Sequence, residues 1–329
     1  MNRDSKLSVM NSDGDVPPDR VALLLAGGDG KRLNDLTREI SGTSIPKQYC
    51  RLYNNTSLLE ATLARTRLYT LKEKIHVIIN RDHIELATDQ IPALHKRNVF
   101  IQPANRDTGP GIVFSLLKLE RMHPNAIVAV FPTDHYIDND RAFIAHTLRA
   151  TRLIARMPEK IAILGIVPHQ PETGYGYLVP ECPVRKCEKT YHVKSFIEKP
   201  SLTKAYEIMN LGGLWNTFVM VFKLSRMLDI LRQQVPDSFR TMTEPARSSH
   251  KAVEIYRNIA SWNFSSRVLT RIPQHIIMLE INDVYWSDWG TRESIESTYR
   301  ALNQVPFWKP SIVSGKSSAD RTDTTQFMT

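Results

Sequence analysis

Cysteine is scarce in this chain: Cys50, Cys182 and Cys187 are the three among 329 residues, and no two of them form a CxxC pair. So small and odd a set argues against a disulfide scaffold and against a structural zinc site. Long apolar runs are also missing, since none approaches the roughly 18 residues of a membrane-spanning helix. Residues 1–20 lack the apolar stretch of a secretory signal. These absences predict a cytoplasmic protein with no membrane partner.

The overall composition excludes fibrous, low-complexity and wholly disordered proteins. Hydrophobic residues make up 42% and charged residues 23%, both near the averages for globular proteins. Lys and Arg number 43 against 34 Asp and Glu, so the formal net charge is +9. This excess suits a polyanion and a phosphate-bearing small substrate equally well. Because aromatic and basic residues do not interleave as they do in RNA-binding proteins, we expect no nucleic-acid partner.

Short apolar runs alternate with helix-like stretches through the first half of the chain. The predicted strands lie at 21–28, 75–80, 98–103, 126–134 and 160–168. The predicted helices between them lie at 57–71, 111–123 and 142–157. Strand alternating with amphipathic helix is typical of βαβ units. We therefore predict an α/β fold: a Rossmann-like, mainly parallel sheet with helices on both faces.

The second half of the chain reads differently, with strands predicted at 172–180, 191–200, 215–223 and 275–281. Helices are predicted at 202–211, at 224–234 and at about 243–260. No internal repeat or mid-chain linker is visible, so we predict a single domain over 21–302. The polar residues 1–20 predict a disordered leader, and the Pro- and Ser-rich residues 303–329 a flexible tail.

A glycine-rich turn, Ala26-Gly27-Gly28-Asp29-Gly30-Lys31-Arg32, follows the first strand. Glycines at such a turn let backbone N–H groups approach a phosphate, and Arg32 can bond phosphate oxygens with its forked guanidinium. Leu25 and Arg32 exclude a P-loop, and Leu33 stands where a dinucleotide fingerprint needs Gly or Ala. A plain structural turn is the alternative, but the pattern GGxGxR favours phosphate binding.

Six short motifs resemble those of the sugar-1-phosphate nucleotidyltransferases, and most of all the mannose-1-phosphate guanylyltransferases. They are LLLAGGDGKRL (23–33) with Pro46-Lys47-Gln48, QPANRDTGPGI (102–112), FPTDH (131–135), PHQPETGYGYL (168–178), FIEKP (196–200) and WSDWGT (286–291). Their order is that of the family. The resemblance implies a nucleotide-diphospho-sugar transferase fold and transfer of a nucleotidyl group from GTP to mannose-1-phosphate, giving GDP-mannose and pyrophosphate. It implies small-molecule partners and leaves a homodimer open.

Two aspartates are candidates for a metal site. Asp134 follows an apolar strand, at the edge where open α/β sheets bind ligands, and Asp288 lies in a turn after a strand. Two carboxylates from distant segments can hold Mg²⁺ on a triphosphate, although each could instead cap a loop. The resemblance implies that they hold the catalytic Mg²⁺. His135 has no partner at zinc-ligand spacing, so we expect a hydrogen-bonded structural histidine.

The resemblance also assigns roles to residues that bind the two substrates. It implies that Arg32 neutralises the leaving pyrophosphate and that Lys47 stabilises charge at the α-phosphate. The implied nucleotide-binding residues are Ala26, Gly27, Gly28, Gly30, Gln102 and Asp107. The implied sugar-phosphate-binding residues are Gly176, Glu198, Lys199 and Asn216. Ordinary polar loops are the alternative for Gln102 and Asp107.

Two departures from the family pattern leave the sugar and the base open. The loop over 34–45 is longer than in the family, and Phe218 stands where the family has glycine. Because side chains repeat every second residue along a regular strand, Phe218 should share a face with Asn216 and line the sugar pocket; packing of the ring into the core is the alternative. One alternative is the same chemistry on glucose-1-phosphate with UTP or dTTP. A non-catalytic regulatory relative is another, and a glycosyltransferase is disfavoured because Thr133-Asp134-His135 is not a DxD motif.

Overall fold

Nine strands form one sheet in the part of the chain that the computed structural model describes, residues 19–92, 94–246 and 251–309. Two further strands, β5 and β11, form a separate pair. The strands are β1 (Arg20–Ala26), β2 (Ile75–Asn80), β3 (Val99–Gln102), β4 (Ile127–Pro132), β5 (Tyr136–Ile137), β6 (Ile161–Ile166), β7 (Gly176–Pro183), β8 (Thr190–Glu198), β9 (Leu214–Lys223), β10 (Ile276–Ile281) and β11 (Trp286–Ser287). The large sheet has the order β3-β2-β1-β4-β9-β6-β10-β8-β7, and β7 also pairs with β9.

Strand direction differs between the two halves of this sheet. β1 runs parallel to both β2 and β4, and β2 runs parallel to β3. β9 lies antiparallel between β4 and β6, and β8 lies antiparallel between β10 and β7. The first half is therefore the parallel, Rossmann-like arrangement that alternating strands and helices predict. The strands that run against the others, β8 and β9, come from the second half of the chain, whereas β10 still pairs parallel with β6.

Helices cover both faces of the sheet. They are α1 (Asn34–Ser41), α2 (Leu58–Thr66), α3 (Ile84–Thr88), α4 (Thr108–Met122), α5 (Asp140–Arg156), α6 (Leu202–Asn210), α7 (Leu224–Gln234), α8 (Pro236–Ala246), α9 (Ala252–Asn258), α10 (Phe264–Arg267) and α11 (Arg292–Ala301). Leu23 of β1 belongs to a core shared with α4 and α7, whereas Leu24 belongs to a core shared with α2 and α5. Burial on both faces explains why the strand sequences show no polar alternation. The predicted single α/β domain is confirmed.

Several predicted segments have different limits in the structure. The helix predicted over about 243–260 is two helices, α8 and α9, and residues 247–250 lie outside the described residues. Most of the predicted leader, 1–18, and most of the predicted tail, 310–329, also lie outside them. Trp308 contacts the Tyr299 ring at 5.3 Å between centroids. Within the described ranges, no helix has the length and apolar character needed to cross a membrane.

Candidate active site

A cavity of about 550 Å³ opens beyond the carboxyl ends of β1, β3 and β4. Such an edge is where open α/β sheets bind ligands, and the volume suits a small organic molecule. Most of the residues that the sequence singles out meet here. The predicted site residues that line the cavity are Gly27, Gly28, Arg32, Gln102, Asp107, Asp134, Gly176, Glu198, Asn216 and Asp288. Segments from the first strand to the turn after β11 therefore contribute to one surface.

Four predicted site residues lie outside the lining: Ala26, Gly30, Lys47 and Lys199. Ala26 is buried in β1. Gly30 has a φ of +60°, and a Cβ there would stand 3.0 Å from the Lys47 backbone nitrogen, so glycine is required at this turn. The Lys199 side chain is exposed to solvent, next to Glu198.

Lys47 is buried and ties two distant segments together. Its ammonium lies 3.3 Å from Asp134 Oδ2 and donates to the Trp289 carbonyl at 3.2 Å and to the Asp288 carbonyl. Burial raises the pKa of the Asp134 carboxyl, but the Lys47 charge, the neighbouring His135 and hydrogen bonds together hold that pKa below its ordinary value. The ammonium thus keeps Asp134 ionised and fixes the turn that carries Asp288.

The Asp288 carboxylate is oriented through one of its oxygens. Oδ1 accepts hydrogen bonds from the Tyr175 hydroxyl at 3.0 Å and from the Gly290 N–H at 2.8 Å. Burial raises the pKa of Tyr175, as does the Asp288 charge, so the hydroxyl stays a donor. Pairing of Ser287 in β11 with Tyr136 in β5 brings this turn beside Asp134. Asp288 therefore has a fixed side chain with Oδ2 left for another partner.

His135 lies between Asp134 and the Trp286 indole. Its Nδ1 accepts a hydrogen bond from the Trp286 indole N–H at 3.3 Å, and its Nε2 lies 3.5 Å from Asp134 Oδ1. The predicted hydrogen-bonded histidine is therefore present, and it also lines the cavity. Burial lowers the pKa of His135, which favours the neutral ring.

The carboxylate pair fits one kind of metal ion. Across the described ranges, no cluster of three or more His, Cys, Asp or Glu side chains could hold a metal by itself. Asp134 and Asp288 supply two carboxylates at the same cavity; Lys47 contacts the carboxylate of Asp134 and the backbone carbonyl of Asp288. Mg²⁺ binds in this way, through one or two carboxylates with substrate phosphates and waters as the remaining ligands. The donor set is therefore suited to Mg²⁺ that arrives with a phosphate-bearing ligand.

Glu198 lies at the end of β8 and Asn216 lies on β9. Both residues line the cavity, to which the glycine-rich turn after β1 also contributes. Burial raises the pKa of Glu198; the Lys199 charge opposes this effect and Asp107 adds to it. Asp107 and Glu198 both line the cavity, although they belong to separate motifs. Glu198 can accept hydrogen bonds from hydroxyl groups in this part of the cavity.

β9 is irregular where the sequence predicts a regular strand. Its pairing with β6 shifts between the Ile163–Met220 and Gly165–Asn216 pairs, so three β9 residues oppose Leu164. Thr217 Oγ1 donates to the Leu164 carbonyl at 2.7 Å inside this bulge. Bulges at the edge of a site change the direction of a side chain. The premise that simple alternation puts residues 216 and 218 on one face is therefore wrong.

Phe218 lines the cavity all the same, because of the bulge. Its φ is +60°, a conformation that is rare for a bulky residue, and its N–H donates to Asn216 Oδ1 at 2.9 Å. The ring contacts Phe264 edge-to-face at 6.1 Å between centroids and packs against the core. Glycine adopts this φ without strain. The local geometry thus accounts for the family's glycine and makes Phe218 a strained exception.

Several cavity residues were missed by the sequence analysis. They are Asp29, Gln48, Asn105, Thr108, Tyr175, Ser261, Asn263, Ser265 and Trp286. Tyr175 and Trp286 lie inside motifs that were recognised, so their positions alone could have marked them. Asn263 is the N-cap of α10, Ser265 lies within that helix and Ser261 precedes it. This region carries no family motif, so the sequence offered no signal for these three residues.

The family described as Nucleotidyl transferase matches residues 21–305. Mannose-1-phosphate guanylyltransferase 2 of Escherichia coli O157:H7 is 29% identical over 292 residues, which cover 84% of this chain and 59% of that protein. The alginate biosynthesis protein AlgA of Pseudomonas syringae pv. tomato is 30% identical over 224 residues, covering 67% and 45%. The chain spans about half the length of these curated relatives.

The fold is also similar to that of a solved structure. The crystal structure of a protein described as mannose-1-phosphate geranyltransferase, from Thermus thermophilus, superposes with a TM-score of 0.75 at 25% identity. The match covers 88% of this chain and 80% of that one. A match of this extent cannot be confined to one half of the sheet, so most of the chain shares this architecture.

Proposed function

Because the chain belongs to the nucleotidyl transferase family, we propose that it joins the nucleotidyl group of a nucleoside triphosphate to a sugar-1-phosphate and releases pyrophosphate. GTP and mannose-1-phosphate are the proposed pair, since a relative named mannose-1-phosphate guanylyltransferase 2 aligns with 84% of the chain. The observation that carries the proposal is the single cavity lined by Arg32, the Asp134–Asp288 pair and Glu198. It combines groups for phosphate, metal and sugar hydroxyls.

The proposed reaction needs positioning and charge neutralisation more than a protein nucleophile. An oxygen of the sugar phosphate attacks the α-phosphorus in line, a new P–O bond forms, and the bond to the β-phosphate oxygen breaks as pyrophosphate leaves. Arg32, exposed at the cavity, would hold the leaving phosphates, and Lys199 would orient the attacking phosphate by moving its exposed side chain inward. Glu198 and Asn216 would hold the sugar hydroxyls.

Asp134 and Asp288 would hold Mg²⁺, which when bound offsets the negative charge of the phosphates. Lys47 then acts differently from the role that the family resemblance implies. Its three contacts are to protein oxygens of Asp134, Asp288 and Trp289. In this arrangement it keeps the two carboxylates in place, and we propose this as its main role. A cytoplasmic location and a homodimer remain predictions.

The strained Phe218 favours a second candidate, the same chemistry on another sugar. Its ring occupies cavity wall that the family's glycine would leave open. A ring at this place removes volume and offers no hydrogen bond to a hydroxyl. The second candidate is therefore the same nucleotidyl transfer to a sugar-1-phosphate other than mannose-1-phosphate.

A substrate panel tests the proposed function directly. Pyrophosphate release should be measured with four nucleoside triphosphates and several sugar-1-phosphates, with Mg²⁺ and with EDTA. We expect release only when both substrates and Mg²⁺ are present. Binding of nucleotide-sugar with no release for any pair would contradict the proposal and indicate a non-catalytic relative.

Asparagine variants of the two carboxylates provide the matched test of the site. Asp134→Asn and Asp288→Asn should each reduce turnover by about 10²-fold or more, because the amide keeps the shape but removes the charge. Asp283→Asn is the control, since Asp283 pairs with His146 at 2.8 Å and does not line the cavity. Near-wild-type activity in both test variants would refute the metal assignment.

A further inference from the structure

Tyr256 contacts a cavity residue without lining the cavity. It lies in α9, is fully buried, and its hydroxyl donates to Gln102 Oε1 at 3.1 Å. Its ring also contacts Phe114 edge-to-face at 5.3 Å between centroids. Burial raises the pKa of this hydroxyl, so it carries its proton at neutral pH. No motif in the sequence points to this residue.

The two neighbours of the Gln102 amide define which way it points. Nε2 lies 3.2 Å from the Gly27 carbonyl, which can only accept a hydrogen bond. The amide nitrogen must therefore face Gly27, and the amide oxygen must face Tyr256. A Cβ at Gly27 would stand 2.5 Å from Nε2, so the side chain fills a narrow slot. One N–H and one oxygen lone pair of the amide remain for a ligand.

The segment that carries Tyr256 is attached to the loop after Gln102. The Gly109 N–H donates to the Trp262 carbonyl at 3.1 Å, and the Phe264 N–H donates to Thr108 Oγ1 at 2.9 Å. The Arg106 guanidinium donates to the carbonyl of residue 257. These bonds hold α9 and the start of α10 against the cavity wall. These contacts, together with the bond from its own hydroxyl, place Tyr256 next to Gln102.

We infer that Tyr256 is a positioning residue for base selection, because its hydroxyl and the Gly27 carbonyl together hold the Gln102 amide in one orientation. This inference rests on the proposed nucleoside triphosphate substrate. Guanine, uracil and thymine present a carbonyl beside a ring N–H, which matches an amide that offers N–H and C=O in the complementary order. Adenine presents an amino group where guanine has O6, so it matches only the flipped amide. A locked amide therefore favours a base with the lactam edge over adenine.

Removal of one hydroxyl tests this inference. Tyr256→Phe keeps the ring against Phe114, and Tyr69→Phe is the matched control. The Tyr69 hydroxyl is also buried and bonds Thr151 Oγ1 at 3.0 Å, away from the cavity. For each variant, kcat/KM and the equilibrium binding constant are measured for GTP, UTP, dTTP and ATP. In Tyr256→Phe the preference for the best lactam triphosphate over ATP should fall about tenfold.

A double variant shows whether Tyr256 acts through Gln102. With Gln102→Leu already present, Tyr256→Phe should change the base preference no further. If Tyr256→Phe does not fold, Gln102→Glu decides, because it keeps the Tyr256 contact but replaces the amide N–H with an acceptor. That variant should lose the lactam preference.

Each result supports or overturns the inference. An unchanged preference in Tyr256→Phe, or an equal fall in Tyr69→Phe, overturns it, as does a wild-type protein that binds ATP as well as the others. A wild-type protein that binds lactam triphosphates selectively but releases no pyrophosphate contradicts the proposed function only. In that case the binding ratios of the Tyr256 variant still decide the inference.

Discussion

At position 218 we expect glycine to give a more stable protein than alanine, the reverse of the usual order within a strand. Phe218 has a φ of +60°, inside the range that glycine adopts freely and side-chain-bearing residues rarely adopt. Its N–H bonds Asn216 Oδ1 at 2.9 Å, and the β9 bulge surrounds it on both sides. These contacts keep the backbone in place when the side chain is changed.

The magnitudes follow from burial and backbone strain. Truncating a fully buried Phe to Ala costs about 3–5 kcal/mol, and Phe218 is half-buried, so the ring accounts for about 2 kcal/mol. A left-handed conformation costs a non-glycine residue about 1–2 kcal/mol, which Phe218→Gly relieves and Phe218→Ala retains. Glycine also makes the unfolded chain more flexible, which lowers the stability of Phe218→Gly by about 0.5–1 kcal/mol. Phe218→Gly should therefore cost about 1 kcal/mol, and Phe218→Ala about 2 kcal/mol.

Urea unfolding of the two variants at one temperature measures this difference. Phe222→Ala is the control, because Phe222 is fully buried in the same strand and should cost about 3–5 kcal/mol. The same proteins are then tested with several sugar-1-phosphates, where the smaller side chains should broaden acceptance and leave the base preference unchanged. Greater stability of Phe218→Ala than Phe218→Gly would refute the reasoning from strain. Unchanged sugar selectivity would show that the ring does not reach the substrate.

Three further predictions concern charged and titratable groups. Lys47→Met should lower the free energy of unfolding by about 1–3 kcal/mol, because it leaves the Asp288 and Trp289 carbonyls and the Asp134 carboxylate without their donor. Lys199→Met changes an exposed side chain and should alter that free energy by no more than about 0.5 kcal/mol; equal effects in urea unfolding would contradict this. Arg32→Ala should mainly raise KM for the triphosphate, and Lys199→Ala should mainly raise KM for the sugar phosphate. Each increase should be about 10- to 100-fold, because a charged contact is lost. If both variants raised the same KM values, the assignment of the two residues to different substrates would be wrong. Burial, with His123 nearby, lowers the pKa of His76 to about 3, so the unfolded chain binds the extra proton below its ordinary pKa of about 6.5. Stability should then fall with decreasing pH from about 6.5, by up to about 1.4 kcal/mol per pH unit, and His76→Gln should flatten that slope in unfolding measured from about pH 7.5 to about pH 5.

Local sequence determined the sheet and the main parts of the cavity. A strand buried on both faces must be apolar throughout, so the run at 21–28 marked β1 without reference to the rest of the chain. Residues that follow parallel strands meet at one edge of a sheet, so Gly28, Arg32 and Asp134 could be assigned to one site. Glu198 and Asp288 were identified by their motifs, whose spacing along the chain is independent of the contacts they make.

Contacts between distant segments were decided by the tertiary structure alone. Nothing near Lys47 in the sequence indicates that its ammonium bonds the Asp288 and Trp289 carbonyls, because those partners lie more than 240 residues away. The tilt of Phe218 depends on a bulge set by pairing with β6, and alternation along one strand carries no information about a partner's register. In the sequence, Tyr256 cannot be distinguished from any other core tyrosine; its contact with Gln102 exists only in the folded chain. A side chain's role there depends on which group its hydroxyl reaches, and only the folded chain brings that group within hydrogen-bond distance.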